Sequence, residues 1–211
     1  MANVKSEVAR PYHHGDLKAA LIEESFRQLG KAGVAGFSVA KLARAVGVSA
    51  AAPYRHFADR SELIATVASV AATDLLAATK TAVAPLVGDP AAQLARASGV
   101  YVRFVVERGI GADVMFSADL REVGDGNLAR AGQELVGFML DLASGIPVLS
   151  MEDVLTLLDE HLAISHGYAT LFRDGFYAGR IDDLDDIVRR AEQATADMMT
   201  GFLARLASVE P

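Results

Sequence analysis

One stretch of 26 residues, from Asp59 to Ala84, contains neither glycine nor proline and is rich in alanine and leucine. Such a run favours helix, and at 1.5 Å per residue it would be about 39 Å long. Pro85 ends it. The rest of the chain is similar in character, since 52% of the 211 residues are apolar and only 6 are proline. With no strand pattern and no internal repeat, the sequence predicts an all-α protein.

Capping residues divide the rest of the chain into further helices. The first begins at the Asp16 cap and is ended by three glycines, Gly30, Gly33 and Gly36. Two short helices follow, one opened by Ser38 and one from Ser49 to about Phe57. Further helices are predicted over about 90–108, 112–123, 127–143, 150–174 and 182–207.

The charge is divided unevenly along the chain, whose overall net charge is −7. Residues 1–62 hold nine Lys and Arg against six Asp and Glu, a net charge of +3. Residues 63–211 hold 11 against 21, a net charge of −10. This division favours a small module that meets a polyanion, joined to a body that repels one. An excess of +3 is also small enough to arise by chance.

Cysteine is absent, which excludes a disulfide framework, a zinc ribbon, an iron–sulfur cluster and a cysteine nucleophile. No apolar run reaches the roughly 18 residues that a membrane span requires. The first ten residues are polar and lack the apolar centre of a signal peptide. We therefore expect a soluble cytoplasmic protein with no membrane partner.

Residues 38–57 hold the most informative pattern. Two short helical segments are joined by a turn that contains Gly47, which is typical of a helix-turn-helix. Ala43 is small enough for the two helices to approach closely, and Gly47 can adopt the positive φ of the turn. Val48 fills the gap between the helices, and Ser49 caps the second, recognition helix. The spacing alone also fits an ordinary helical hairpin in an alanine-rich chain.

Three segments within residues 12–64 carry a more specific pattern. They are Tyr12-His-His-Gly-Asp-Leu17, Phe37-Ser-Val-Ala-Lys-Leu-Ala-Arg-Ala-Val-Gly-Val-Ser49, and Pro53-Tyr-Arg-His-Phe57 followed by Asp59-Arg-Ser-Glu-Leu63. Together they resemble the DNA-binding domain of the tetracycline-repressor (TetR) family of transcriptional regulators. The resemblance covers about a quarter of the chain.

The resemblance implies a three-helix helix-turn-helix DNA-binding domain followed by a C-terminal antiparallel helical bundle for ligand binding and dimerisation. The first would span residues 1–62, with residues 1–14 as a flexible arm, and the second would span residues 63–211. It also implies a homodimer on a near-palindromic double-stranded DNA operator, released by a small-molecule effector. Such a protein is a repressor by default, is not an enzyme, and uses neither a cofactor nor a metal.

Residue roles in DNA binding are carried over from the family by position. Tyr54 and His56 match its phosphate-contacting pair, and Arg60 matches a position, usually lysine, close to the DNA backbone. Ser38 lies at a helix N-terminus that can bind a phosphate. Among the base-reading positions, only Arg55 can make a bidentate contact with guanine. The predicted DNA-binding residues are Ser38, Lys41, Arg44, Ser49, Ala50, Ala51, Tyr54, Arg55, His56 and Arg60.

Pro53 stands where many family members carry leucine or isoleucine. With Ser49 as the cap, Pro53 would remove the first hydrogen bond of the recognition helix, so we predict a short or irregular helix. A cap one residue later would accommodate the proline more easily. Because few side chains can read bases, we expect some specificity from DNA shape or from the N-terminal arm. Its candidate residues are Lys5, Arg10, His13 and His14, although the two histidines also fit a solvated pair.

The segment His161-Leu-Ala-Ile-Ser-His-Gly-Tyr-Ala-Thr-Leu-Phe172, with Val114-Met-Phe116 before it, resembles a TetR C-terminal subgroup named for a Trp-His-Gly motif. His166 and Gly167 fit the motif, but Ser165 precedes them and the chain has no tryptophan. The candidate effector-pocket residues also fit a plain core, and the histidines an interface. They are Tyr101, Phe104, Met115, Phe116, Met139, His161 and His166.

The alternative function is an all-helical enzyme, or a small-molecule binding protein without specific DNA binding. The sequence contains no His-Glu-x-x-His, no Gly-rich phosphate loop and no Gly-x-Ser-x-Gly. Ser165 and His166 are adjacent on a predicted helix, so their side chains point about 100° apart and cannot act as nucleophile and base. These patterns favour a regulator.

Overall fold

A computed structural model of the protein describes residues 14–117, 120 and 124–208. All regular structure in these residues is helical, which confirms the predicted all-α class. The α-helices are α1 (His14–Gly36), α2 (Val39–Val46), α3 (Arg60–Val83), α4 (Pro90–Arg108), α5 (Ala112–Met115), α6 (Gly126–Ser144), α7 (Met151–Arg173) and α8 (Leu184–Ala207). Short 3₁₀ helices cover Pro53–Arg55 and Ala84–Leu86.

Several helices begin at the caps that the sequence predicts. The Asp59 carboxylate accepts a hydrogen bond from the Glu62 amide at 2.8 Å, and Asp89 accepts one from Ala92 at 2.9 Å. Ser150 and Asp153 form a reciprocal capping box at the start of α7. Each cap satisfies amides that the helix leaves without partners, and each contributes about 1 kcal/mol.

The first helix differs from its prediction at both ends. It begins at His14, two residues before the predicted Asp16 cap. It also continues past Gly30 to Gly36, with a break at Gly33, where φ is 63° and ψ is −177°. Only Gly33 interrupts the helix because only this glycine leaves the helical region of backbone conformation.

The core is built around α3, which packs against α1, α4 and α6. One cluster of buried apolar residues runs from Leu21 and Phe26 in α1, through Val67 and other residues of α3, to Ile187 in α8. By length and composition, the helical stretch 60–86 is the one in the described part of the chain that could cross a membrane. Of the most apolar 18-residue window in this stretch, 56% is buried inside the protein. The stretch is therefore a core helix here.

The N-terminal helices touch the rest of the molecule where α1 crosses the end of α4. Gly109 ends α4 with φ 78°, and its backbone lies against Gly30. A Cβ at Gly30 would lie 2.9 Å from the Gly109 Cα. Beside this contact, the Arg108 guanidinium lies 4.0 Å from the ring centroid of Phe26 and pairs with Glu23 at 3.0 Å. The two elements therefore meet with their backbones in direct contact.

We predict that Gly30→Ala destabilises the protein by about 1–3 kcal/mol, because the new methyl group meets backbone atoms that cannot rotate away. Gly137→Ala in α6 is the matched control, since its Cβ would meet nothing within 4 Å. The control should be neutral or stabilising by up to about 1 kcal/mol. Urea denaturation measures both free energies of unfolding, and equal stability of the two variants would contradict the close contact.

Candidate functional site

The first half of the predicted helix-turn-helix forms as the sequence indicates. Ser38 caps α2, and its hydroxyl accepts a hydrogen bond from the Lys41 amide at 3.4 Å. Gly47 ends α2 with φ 80°, the left-handed conformation predicted for the turn. Ala43 is buried, and its carbonyl accepts a hydrogen bond from Val48 at 2.9 Å. The small side chain and the glycine therefore turn the chain tightly, as predicted.

The second half is shorter than predicted. Residues 49–52 form turns, and Pro53–Arg55 form a single turn of 3₁₀ helix whose N-cap is Ala52. The prediction of a short or irregular helix is confirmed, whereas a helix capped by Ser49 or by the next residue is wrong. The reason is that Pro53 occupies the first helical position, where its missing N–H costs no intrahelical bond.

The predicted DNA-binding residues differ in their exposure. Tyr54 is 53% exposed although it is aromatic, and Arg55 beside it is exposed. His56 is half-buried, with its ring 6.4 Å from that of Phe57. Ser38 and Arg60 are also half-buried. The remaining predicted residues are exposed: Lys41, Arg44, Ser49, Ala50 and Ala51.

Arg60 is engaged within the protein. Its Nε donates to the Phe37 carbonyl at 3.3 Å, its Nη2 donates to the Val34 carbonyl, and its guanidinium lies 5.9 Å from the Phe37 ring centroid. These bonds tie the start of α3 to the end of α1 and to the residue that follows it. If Arg60 contacts a phosphate, it must therefore use the guanidinium N–H groups that do not take part in these two bonds.

Lys18 is a cation that the sequence pattern did not single out. It is exposed on α1, and its Nζ lies 5.5 Å from the ring centroid of Phe57, directly after the 3₁₀ turn. A lysine on an amphipathic helix is an ordinary surface residue, so only the fold reveals this proximity. Of the predicted arm, Lys5, Arg10 and His13 lie outside the described residues, and only the backbone of His14 is described.

A second candidate site is a cavity of about 230 Å³ enclosed by helices α3 to α7. Its walls are almost entirely apolar, which is typical of sites that bind small molecules. The lining residues are Leu75, Thr79, Ala97, Tyr101, Met115, Phe116, Leu135, Val136, Met139, Leu140, Leu155, Leu158, Asp159, His161 and Leu162.

Five of the seven predicted pocket residues line this cavity, namely Tyr101, Met115, Phe116, Met139 and His161. The other two do not. Phe104 lies in a separate groove beside Arg103 and Glu192. His166 does not line the cavity, but its side chain is hydrogen-bonded to the hydroxyl of Tyr101, which does.

Tyr101 connects the cavity to the turn that follows α4. Its hydroxyl oxygen accepts a hydrogen bond from the Ala112 amide at 2.8 Å and lies 2.9 Å from His166 Nδ1. Burial raises the pKa of the Tyr101 phenol to about 12, so the phenol keeps its proton at neutral pH. With Ala112 donating to the oxygen, this proton is directed at His166, in the tautomer that carries its own proton on Nε2.

His161 is buried in the cavity wall. Its Nε2 lies 3.0 Å from the Leu94 carbonyl, which can only accept, so Nε2 carries the proton. Burial lowers the pKa of His161 to about 4, and the bond to Leu94 opposes this only in part. His161 is therefore neutral at physiological pH.

Sequence reasoning did not single out Leu75, Thr79 and Asp159 as cavity residues. Leu75 and Thr79 belong to the apolar run of α3, in which every face is plausible core. Asp159 is an exposed acid on α7, and acids on helix surfaces are common. No sequence signal distinguishes these residues from their neighbours.

The structure combines two features. Exposed aromatic and basic side chains surround the helix-turn-helix, and a separate apolar cavity lies in the helical bundle. Together they define a helix-turn-helix regulator. The family model described as "Bacterial regulatory proteins, tetR family" matches residues 21–67. Residues 21–67 thus belong to the TetR family of transcriptional regulators, as the sequence motifs predict. The Trp-His-Gly subgroup stays a prediction.

Solved structures share the fold over most of the chain. A protein of unknown function from Rhodococcus sp. RHA1 is 27% identical, with a TM-score of 0.67, over 90% of this chain and 98% of its own. A transcriptional regulator from Rhodococcus sp. Rha1 is 18% identical, with a TM-score of 0.62, over 86% and 94%. A TetR family transcription regulator from Marinobacter aquaeolei VT8 is 17% identical, with a TM-score of 0.59, over 85% and 93%. No curated protein matches the chain.

We predict that the free energy of unfolding falls by about 2 kcal/mol between pH 8 and pH 5 because of His161 alone. Below pH 6.5 the unfolded chain takes up a proton on this imidazole, whereas the folded protein, with a pKa of about 4, does not. Stability is therefore retained above pH 6.5 and lost as the pH falls toward 4. Urea denaturation of the wild type and of His161→Gln across this range measures the effect, and parallel pH profiles would contradict it.

Proposed function

We propose that the protein is a ligand-responsive repressor that binds a near-palindromic operator as a cytoplasmic homodimer. Residues 1–62 would form the DNA-binding domain, with residues 1–14 as its arm, and residues 63–211 the effector-binding and dimerisation domain. The observation that carries this proposal is the separation of two unlike surfaces in one helical molecule. One is the basic helix-turn-helix, and the other is the apolar cavity.

Exposed apolar side chains on α7 support the homodimer. Met151 is 62% exposed, and Leu155 and Leu162 are also exposed. At 100° per residue the three lie within about 40° of one another, which makes an apolar stripe on one helix face. A second copy of the chain that packs on this stripe, beside the mouth of the cavity that Leu155 and Leu162 also line, would remove its outer face from water. Sedimentation velocity tests this directly, since a monomer at micromolar concentration would contradict the dimer.

The contacts around the end of α4 support a response to ligand. Tyr101 lines the cavity and holds the Ala112 amide, while Gly109 lies on Gly30 of α1. A ligand that displaces Tyr101 would shift the end of α4 and, through this backbone contact, the DNA-binding helices. Release of DNA needs only a difference in ligand affinity between two conformers, typically 1–3 kcal/mol.

An enzyme is the second candidate function. However, the serine and histidine that could form a catalytic pair, Ser165 and His166, are hydrogen-bonded to other groups. The Ser165 hydroxyl is buried, 2.7 Å from the His161 carbonyl and 2.9 Å from the Ser98 hydroxyl. His166 bonds with Tyr101 instead. Nucleophilic catalysis requires a base within hydrogen-bond reach of the hydroxyl. A regulatory function therefore accounts better for both side chains.

Selection from a random double-stranded DNA library tests the proposal without assuming any operator sequence. We expect enrichment of one near-palindromic sequence. Its affinity, followed by fluorescence anisotropy, should fall steeply with salt. Four cations in a dimer, Lys41 and Arg44 from each subunit, would give a log–log slope of about −4. Absence of enrichment, or equal affinity for a scrambled duplex, would contradict the repressor.

Individual substitutions separate base reading from backbone binding. Arg55→Ala should cost about 1–3 kcal/mol on the selected site and relax the preference at one base pair. Tyr54→Phe and His56→Ala should weaken binding to specific and random duplexes by similar factors, since phosphate contacts carry no sequence information. Anisotropy on both duplexes measures each variant. Equal losses on both for Arg55→Ala would show that Arg55 does not read a base.

A further inference from the structure

The polar groups in the cavity wall have an uneven balance of hydrogen-bond donors and acceptors. Three of the four polar side chains already donate within the protein. The Thr79 hydroxyl donates to the Leu75 carbonyl at 2.8 Å, and His161 Nε2 bonds with the Leu94 carbonyl. The Tyr101 hydroxyl is held between Ala112 and His166. The described wall therefore offers a ligand no uncommitted side-chain donor.

The same wall contains no positive charge among its described residues. Arginine and lysine are absent from the lining, and His161, buried in the wall, is neutral. A carboxylate or phosphate in this cavity would lose its water without gaining a donor or a cation in return. Such an uncompensated charge is among the most costly groups to bury. The described wall therefore opposes anionic ligands.

Asp159 is the fourth polar side chain of the wall, and its carboxylate accepts hydrogen bonds instead of donating them. It lies on α7 at the open side of the cavity, between the lining residues Leu155 and Leu162. None of the ion pairs in the described residues includes it. Its carboxylate is a strong acceptor at the edge of an apolar chamber, and a charged donor makes the strongest hydrogen bond to it.

We propose that this cavity binds an apolar molecule that carries a protonated amine, with the apolar part inside and the ammonium group bonded to Asp159. This rests on the proposed function, in which the cavity is the effector site. The cavity of about 230 Å³ is large enough for a short alkyl chain. The excess of acidic over basic residues in 63–211, 21 against 11, also favours the approach of a cation.

Three probes that each contain eight carbon atoms separate the possible head groups: n-octylamine, n-octanol and n-octanoate. Each competes with the neutral fluorescent dye N-phenyl-1-naphthylamine on the purified full-length protein at pH 7.5. The chain has no tryptophan that would interfere with the dye signal. We expect octylamine to displace the dye at a concentration about tenfold or more below that of octanoate, with octanol between them.

The matched variants are Asp159→Asn, which keeps the shape and removes the charge, and Glu152→Gln. Glu152 is an exposed acid seven residues earlier on α7 and does not line the cavity. Asp159→Asn should bring octylamine and octanoate within about threefold of each other and leave octanol unchanged. Glu152→Gln should keep the wild-type order. Circular dichroism and the thermal midpoint confirm that both variants fold.

The proposal is overturned if octanoate competes as well as octylamine, if Asp159→Asn keeps the preference, or if none of the probes displaces the dye. Anisotropy on the selected DNA, with and without octylamine, tests the repressor function separately. Octylamine that binds through Asp159 without changing DNA affinity supports the ligand class and contradicts the effector response. Release of DNA by octanoate instead supports the response and overturns the ligand class.

Discussion

Burial of the apolar faces of α3 is the interaction on which both parts of the molecule depend. Ile64 and Val67 near its start belong to the same cluster as Phe26 and Leu42, and Leu75 in its later turns lines the cavity. This one helix thus contributes to the packing of the DNA-binding helices and to a wall of the cavity. Because protein interiors are densely packed and deform little, a shift of this helix at one end displaces the residues packed against its other end.

The contacts that join α1 to α4 differ in strength. The Arg108–Glu23 pair is substantially exposed, and such pairs contribute only about 0–1 kcal/mol. The Gly30–Gly109 contact brings backbone against backbone and leaves no room for a side chain. Steric contact resists displacement steeply, whereas a solvated ion pair stretches at little cost. The glycine pair, rather than the ion pair, therefore resists a displacement of α4 relative to α1.

Local signals in the sequence predict most of the helices. Asp59, Asp89 and Ser150 begin helices because capping is decided by residues within one turn. The residues that line the cavity are harder to predict. The reason is that α4 packs against α3, α7 and α8, so this helix is buried on several sides. Tyr101 and Phe104 are both buried aromatic residues on this helix, yet only Tyr101 faces the cavity. Periodicity shows that a helix is buried but not which neighbour each face meets.

The single 3₁₀ turn at Pro53–Arg55 affects how the protein distinguishes DNA sequences. A turn of three residues presents few side chains to base edges, so each subunit has little direct readout. In the proposed homodimer, much of the discrimination would then come from placing two such turns at the correct separation on a two-fold symmetric site. That separation would depend on the dimer interface and on how α1 lies on α4 in each subunit. In the proposed repressor, where base contacts are sparse, a small shift at Gly30 and Gly109 would therefore change operator affinity substantially.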